Sequence, residues 1–152
     1  MDNLFLSRCI DNQYRGQKLA LWFFWVVVII RALQGVSLII NGHSIAKDAD
    51  GIPLETFPAA ASQTIVGMFV ISGSSRVVLS ILGILTFVQY RSAIPLMFAL
   101  LALDQAAKEL LLHFYPLYRI GNPIGPIVNL VLLLLTIIGL VLSVWSKRQP
   151  KS

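Results

Sequence analysis

Four long apolar runs dominate the chain, and one of them reads LVLLLLTIIGLVL without a polar residue beyond a single threonine. A segment needs about 20 residues to cross ~30 Å of hydrocarbon at ~1.5 Å per residue. The runs near 19–41, 62–88, 93–115 and 124–145 are all long enough. Backbone groups in lipid must be satisfied within the segment, so these runs are expected to be helices. A barrel would need short alternating strands, and none of the runs alternates. The residues are 57% hydrophobic and only 12% charged, and mean hydropathy is +0.78. A soluble domain needs more polar surface than that. The expectation is an all-α polytopic membrane protein, a four-transmembrane-helix bundle with residues 1–152 forming a single transmembrane domain. The first run follows a long polar lead and exceeds the ~7–15 apolar residues of a cleaved signal.

Local punctuation refines the bounds. Pro95 suits the first turn of the third run and Pro116 stops it. In GNPIGP, Asn122 is the expected N-cap and Pro123 the first helical position of the fourth run. The link between the second and third runs is very short, around Tyr90, Arg91 and Ser92, so those helices should be antiparallel neighbours. Arg8, Arg15, Lys18, Arg91, Lys147, Arg148 and Lys151 fall on one side of the runs, against Lys47 and Arg119 on the other. This imbalance puts both termini in the cytoplasm and the chain in a cell (inner) membrane. Trp22, Trp25, Trp145, Tyr90, Tyr115 and Tyr118 lie near run ends, where amphipathic rings favour the interface. The net charge of +5 sits mostly at these flanks, so the expected surface partner is the lipid bilayer and not nucleic acid.

The single cysteine, Cys9, permits neither an internal disulfide nor a redox pair. An inert interfacial thiol is preferred to a palmitoylated one. DADG resembles part of a calcium loop but lacks the remaining oxygen ligands and closing Glu, and is read as a polar turn. His43 and His113 are expected to be solvated. No metal and no cofactor is indicated.

The third run is unusual: LLALDQAAKELLLHF carries Asp104, Gln105, Lys108 and Glu109. A lone charge at a helix centre costs about 2.5–3.5 kcal/mol on insertion scales. Arg31 and Arg76 lie near the middle of the first and second runs, at a depth similar to Asp104. Helical spacing puts Arg31, Gln34, Gly35 and Gly42 on one face, interrupted by Leu38, with Ser37 and Asn41 beside Gln34. Ser72, Arg76, Ser80 and Gly83 share a face of the second run. Asp104 and Lys108 share one on the third, with Gln105 and Glu109 on a neighbouring strip. Asn129, Thr136 and Ser143 recur at sevens on the fourth. These stripes are expected to meet inside the bundle, where small residues let helices approach closely.

A guanidinium keeps its proton, so Arg31 needs a partner or water. Asp104 is the natural partner for Arg31 or Arg76, Lys108 can pair with Asp104 one turn away, and Glu109 can serve a second base. Arg31, Gln34, Arg76, Asp104, Lys108, Glu109 and Asn129 form the candidate ligand-binding or buried polar cluster, whose ionised members carry one surplus positive charge. Two readings compete: an ion-pair network that fixes helix register, and the polar end of a ligand site. Lys108 and Glu109 can also reach outward to water, and Asn129 can act purely as helix–helix glue.

The pattern of Arg31, Gly35 four residues on and Gly42 seven further on, then a polar residue and later Lys47, resembles the first-helix signature of DoxX-like four-helix membrane proteins. The resemblance covers this motif closely and the rest of the chain by architecture. It implies four spans with both ends inside, and helix packing and a buried charge as the roles of Arg31, Gly35 and Gly42. Some such proteins are associated with thiosulfate–quinone redox enzymes or oxidative-stress complexes. This chain lacks the cysteine pair for thiol redox chemistry.

Three functions follow in order. The first is an accessory or scaffold subunit, with a membrane-protein partner or a homo-oligomer. The second is binding or transport of a small anion, quinone or lipid-like ligand inside the bundle. The third is a membrane enzyme with Asp104 or Glu109 as proton carrier, placed last because no nucleophile motif, nucleotide loop or metal spacing supports it.

Overall fold

Each apolar run becomes one long helix: α1 (Lys18–Ile40), α2 (Ala59–Gln89), α3 (Ile94–Phe114) and α4 (Gly125–Val144). The computed structural model describes Tyr14 and residues 16–145, and there is no strand among the described residues. Cys9 lies outside the described residues, as do Arg8, Arg15, Lys147, Arg148 and Lys151. Three helices, α1, α2 and α4, are long and apolar enough to cross a membrane. Helix α3 has comparable length, 21 residues, but carries Asp104, Lys108 and Glu109.

Helix α1 is the hub, packing extensively on α2 and also on α4, while α3 packs on α4. Helices α2 and α3 are joined by a single tight turn, Arg91–Ala93, yet pack on each other much less. The main core joins Phe24, Val27 and Val28 of α1 to Ile94, Met97, Phe98 and Leu101 of α3 and Leu132 of α4. Phe24 and Phe98 meet edge to face, with ring centroids 5.1 Å apart, a favoured aromatic geometry.

Backbones touch where α1 crosses α2. A Cβ on Gly35 would lie 2.9 Å from the Gly73 carbonyl oxygen, and one on Gly73 would lie 2.8 Å from that of Gly35. Only glycine at both positions permits this approach, the small-residue packing that helices use in lipid. Gly42 is buried as well, but not on the α1 face expected for it. Helix α1 ends at Ile40, and Gly42 begins a separate helical turn, Gly42–Ser44.

That turn opens a segment more ordered than the expected polar loop. A wide π-helical turn, Ile45–Ala49, follows, then a 3-10 turn, Leu54–Thr56. Ala46, Ile52 and Leu54 make a second small core against Ile65, Val66 and Phe69 of α2. Lys47 and Glu55 form an exposed ion pair, a type that contributes little to stability. Gly51 adopts a positive φ of 68° and accepts a hydrogen bond from the Ile120 amide at 2.7 Å. The two connections on this side are thereby tied together.

The start of α4 differs from expectation. Its N-cap position is Ile124, and Pro126, not Pro123, sits in the first turn. GNPIGP offers two prolines, and both are tolerated at a helix start. A turn at Gly121, with φ 78°, keeps Asn122 and Pro123 outside the helix.

Candidate functional site

Arg31 is 3% exposed and reaches across from α1 to α3. Its Nη1 donates to Asp104 Oδ2 at 3.0 Å. Its Nη2 donates to the Leu101 carbonyl at 3.0 Å and to Gln105 Oε1 at 2.6 Å. The planar fork of a guanidinium suits several acceptors held on one helix face. Its Nε is buried with no hydrogen-bond partner among the described residues. Asp104 also receives Lys108, whose Nζ lies 3.0 Å from Oδ1 and 3.1 Å from Oδ2. One carboxylate therefore serves two cations.

The network extends to every long helix. Gln105 donates through Nε2 to the Asn129 backbone carbonyl, linking α3 to α4. On α1, Gln34 lies three residues beyond Arg31 and accepts through Oε1 from Arg76 Nη1 of α2 at 3.0 Å. Polar groups thus join α2 to α1, α1 to α3 and α3 to α4. Deeper on α4, buried Thr136 returns its hydroxyl to the Leu132 carbonyl, and buried Ser143 accepts from the Tyr14 hydroxyl.

Around this network lies a cavity of about 720 Å³, within the roughly 300–1,000 Å³ range of small-molecule sites. Arg31, Gln34, Arg76, Asp104, Lys108, Glu109 and Asn129 all line it. Its other walls are largely aliphatic, including Leu38, Phe69, Leu112 and Leu132. The cavity reaches the outer surface of the helix layer at Leu33, Met68 and Leu111, which are lining residues and yet 64%, 64% and 59% exposed.

Two expectations at residue level need correction. Glu109 lines the cavity but makes no ion pair with a second base among the described residues. Of the two cations weighed as partners for Asp104, Arg31 is the one that reaches it, together with Lys108, while Arg76 bonds to neutral Gln34. Asn129 joins the network through its backbone carbonyl, not its side chain.

Three participants were absent from the expected cluster. Gln105, on the strip beside Asp104, is 6% exposed and bridges Arg31 to α4. Asp50 and Arg119 belong to the two connections tied by Gly51 and Ile120, and both line the cavity. The π-helical turn ends at Asp50 and delivers it there, a common setting for such turns. Burial pushes the Asp50 carboxyl up from its ordinary range, against the opposing pull of the Arg119 and Arg76 charges. Arg119 Nε is buried and has no hydrogen-bond partner among the described residues. The cavity is thus lined by four cations, Arg31, Arg76, Lys108 and Arg119, against Asp50, Asp104 and Glu109. His43 and His113 are exposed.

No protein-family model matches the chain, and neither a curated protein nor a solved structure matches it.

Proposed function

We propose that this is a multi-pass inner-membrane protein whose four helices cross the bilayer, with both termini in the cytoplasm, and whose interior binds a lipid-like amphiphile or quinone. The cavity carries this reading. It brings aliphatic walls and a cluster of charged groups into one space, and its edges lie on the apolar outer surface. A membrane amphiphile has the same two-part chemistry and can enter from the bilayer without crossing water. Helix α3 can cross despite its charges because Asp104 and Lys108 are turned to the cavity and paired there, the arrangement that makes intramembrane charges tolerable.

Kinship with DoxX-like proteins belongs to the same proposal. Its support is the buried charge of Arg31 and the contact of Gly35 with α2, the two roles that the resemblance implies. An accessory subunit would place the function in a partner, whereas the cavity favours the protein's own interior. Native mass spectrometry from nanodiscs of mixed lipid tests the reading. The expected result is one retained amphiphile per chain, identified after denaturation. A chain that carries no amphiphile but a stoichiometric protein partner would overturn it in favour of the accessory role.

A further inference from the structure

Within the cavity the cations are not equivalent. Arg31 has three acceptors, one of them a carboxylate, and Lys108 holds the same carboxylate. Those two charges are committed to the helix network. Arg76 has a single hydrogen bond, to an uncharged amide oxygen, and no carboxylate within 4.0 Å among the described residues. Among the described residues Arg119 has no ion pair, and its buried Nε has no hydrogen-bond partner. Both guanidiniums line the cavity, Arg76 from α2 and Arg119 from the connection before α4. Arginine forks left open in this way match the planar oxygens of a carboxylate or phosphate.

Two carboxylates oppose them. Asp50 and Glu109 line the same cavity without ion pairs among the described residues. Counted over all lining groups, four cations face three carboxylates, so one positive charge is left over.

We infer that the ligand is an acidic amphiphile, with one negatively charged phosphate or carboxylate head held between Arg76 and Arg119 and its acyl part against the aliphatic walls. This deepens the proposed function and rests on it. The Arg31–Asp104–Lys108 network then positions the helices, and Arg76 and Arg119 bind the head. A neutral quinone leaves both forks unfilled, and a zwitterionic head adds no net charge to offset the surplus.

Native mass spectrometry on delipidated full-length protein tests this with four probes at equal concentration: phosphatidylglycerol, phosphatidylethanolamine, diacylglycerol and inorganic phosphate. Phosphatidylglycerol should be retained at least about tenfold better than diacylglycerol, the scale expected of a charge-assisted hydrogen bond. Arg76→Gln and Arg119→Gln should each remove most of that preference while leaving diacylglycerol retention unchanged. Asp50→Asn should increase phosphatidylglycerol retention, a gain that a merely destabilised fold cannot produce. Equal retention of phosphatidylethanolamine or diacylglycerol would overturn the acidic head while leaving the amphiphile reading standing. Retention of inorganic phosphate as strong as that of phosphatidylglycerol would overturn the role of the acyl part and make the site one for a free anion. If wild-type protein retains no probe at all, the acidic-amphiphile site fails, and the lipid-like half of the proposed function fails with it.

Discussion

Arg31 can neither discard its proton nor reach water, so its acceptors decide whether α1 and α3 stay together. Removing one member of a buried pair costs on the order of 3–5 kcal/mol, because the other charge is left uncompensated. Asp104→Ala should therefore lower the melting temperature sharply in a given detergent. Asp104→Leu combined with Arg31→Leu should recover much of the loss, since the buried guanidinium and carboxylate disappear together and the cation left over, Lys108, has a side chain 36% exposed. Equal melting of Asp104→Ala and wild type, or strict additivity of the two single changes, would show that the pair contributes nothing. Asp50 offers a test of opposite sign. Its folded carboxyl sits above its ordinary range because burial penalises the charge. Such a group favours the fold below the ordinary aspartate value of ~3.9 and loses that contribution as pH rises through the folded value. Asp50→Asn should thus raise the melting temperature at neutral pH, with the advantage fading as pH falls through the folded value and gone below about pH 4. An advantage that grows in acid would contradict the burial argument. Arg31 and Asp104 were legible as a polar pair because mid-helix charges in an apolar run have few ways to be satisfied. The choice between Arg31 and Arg76 was not legible, because it depends on which side chain reaches across to α3. Gln105 lies about 100° around the helix from Asp104, on the strip it shares with Glu109, and being uncharged it falls outside the expected cluster. Asp50 and Arg119 sit in connections, where nothing local announces that Gly51 and Ile120 will bring them together.

Helix crossings set the distances over which those side chains act. Gly35 and Gly73 hold α1 and α2 at backbone contact, and each added Cβ would meet carbonyl oxygen of the opposite helix below 3 Å. Backbone cannot swing aside as a side chain can. Gly73→Val should therefore behave as overpacking, costing about 1–3 kcal/mol. It should also lengthen the Arg76–Gln34 contact that lies next to the crossing. Gly67, on the same helix, has no neighbour within 4 Å of an added Cβ. Gly67→Ala should leave stability unchanged or raise it by about 0.5–1 kcal/mol through helix propensity. Thermal unfolding of the two variants side by side checks both, and a Gly73→Val protein as stable as Gly67→Ala would show that the crossing relaxes freely. Hydropathy alone located all four helices to within a few residues, since lipid-length apolar runs have one economical backbone solution. It placed the start of α4 at Pro123 because two prolines compete there. It took the connection after α1 for a simple turn because a π-helical turn such as Ile45–Ala49 has no local residue signature.

Parity governs the molecule as a whole. Three helices are long and apolar enough to cross a membrane, and α3 is the one whose charges exclude it on composition. If only those three crossed, the two termini would face opposite sides. In the proposed topology α3 crosses as well, the termini face the same side, and the distribution of Lys and Arg in the sequence argues for the cytoplasm. Its charges do not forbid the crossing, because Lys108 and Arg31 both close on Asp104 inside the helix group. Single-cysteine variants separate these topologies when Cys9 is first replaced. Ser44, exposed in the turn after α1, and Ser152, at the other end of the chain, are the reporting positions. In intact cells, an impermeant thiol reagent should label Ser44→Cys and leave Ser152→Cys unmodified until the membrane is permeabilised. Labelling of Ser152→Cys with Ser44→Cys protected would reverse the orientation. Labelling of both from outside would mean an odd number of crossings, which would put α3 on the membrane surface. The cavity would then lose the α3 wall that supplies Asp104 and Lys108, and the acidic-amphiphile site would fall with it.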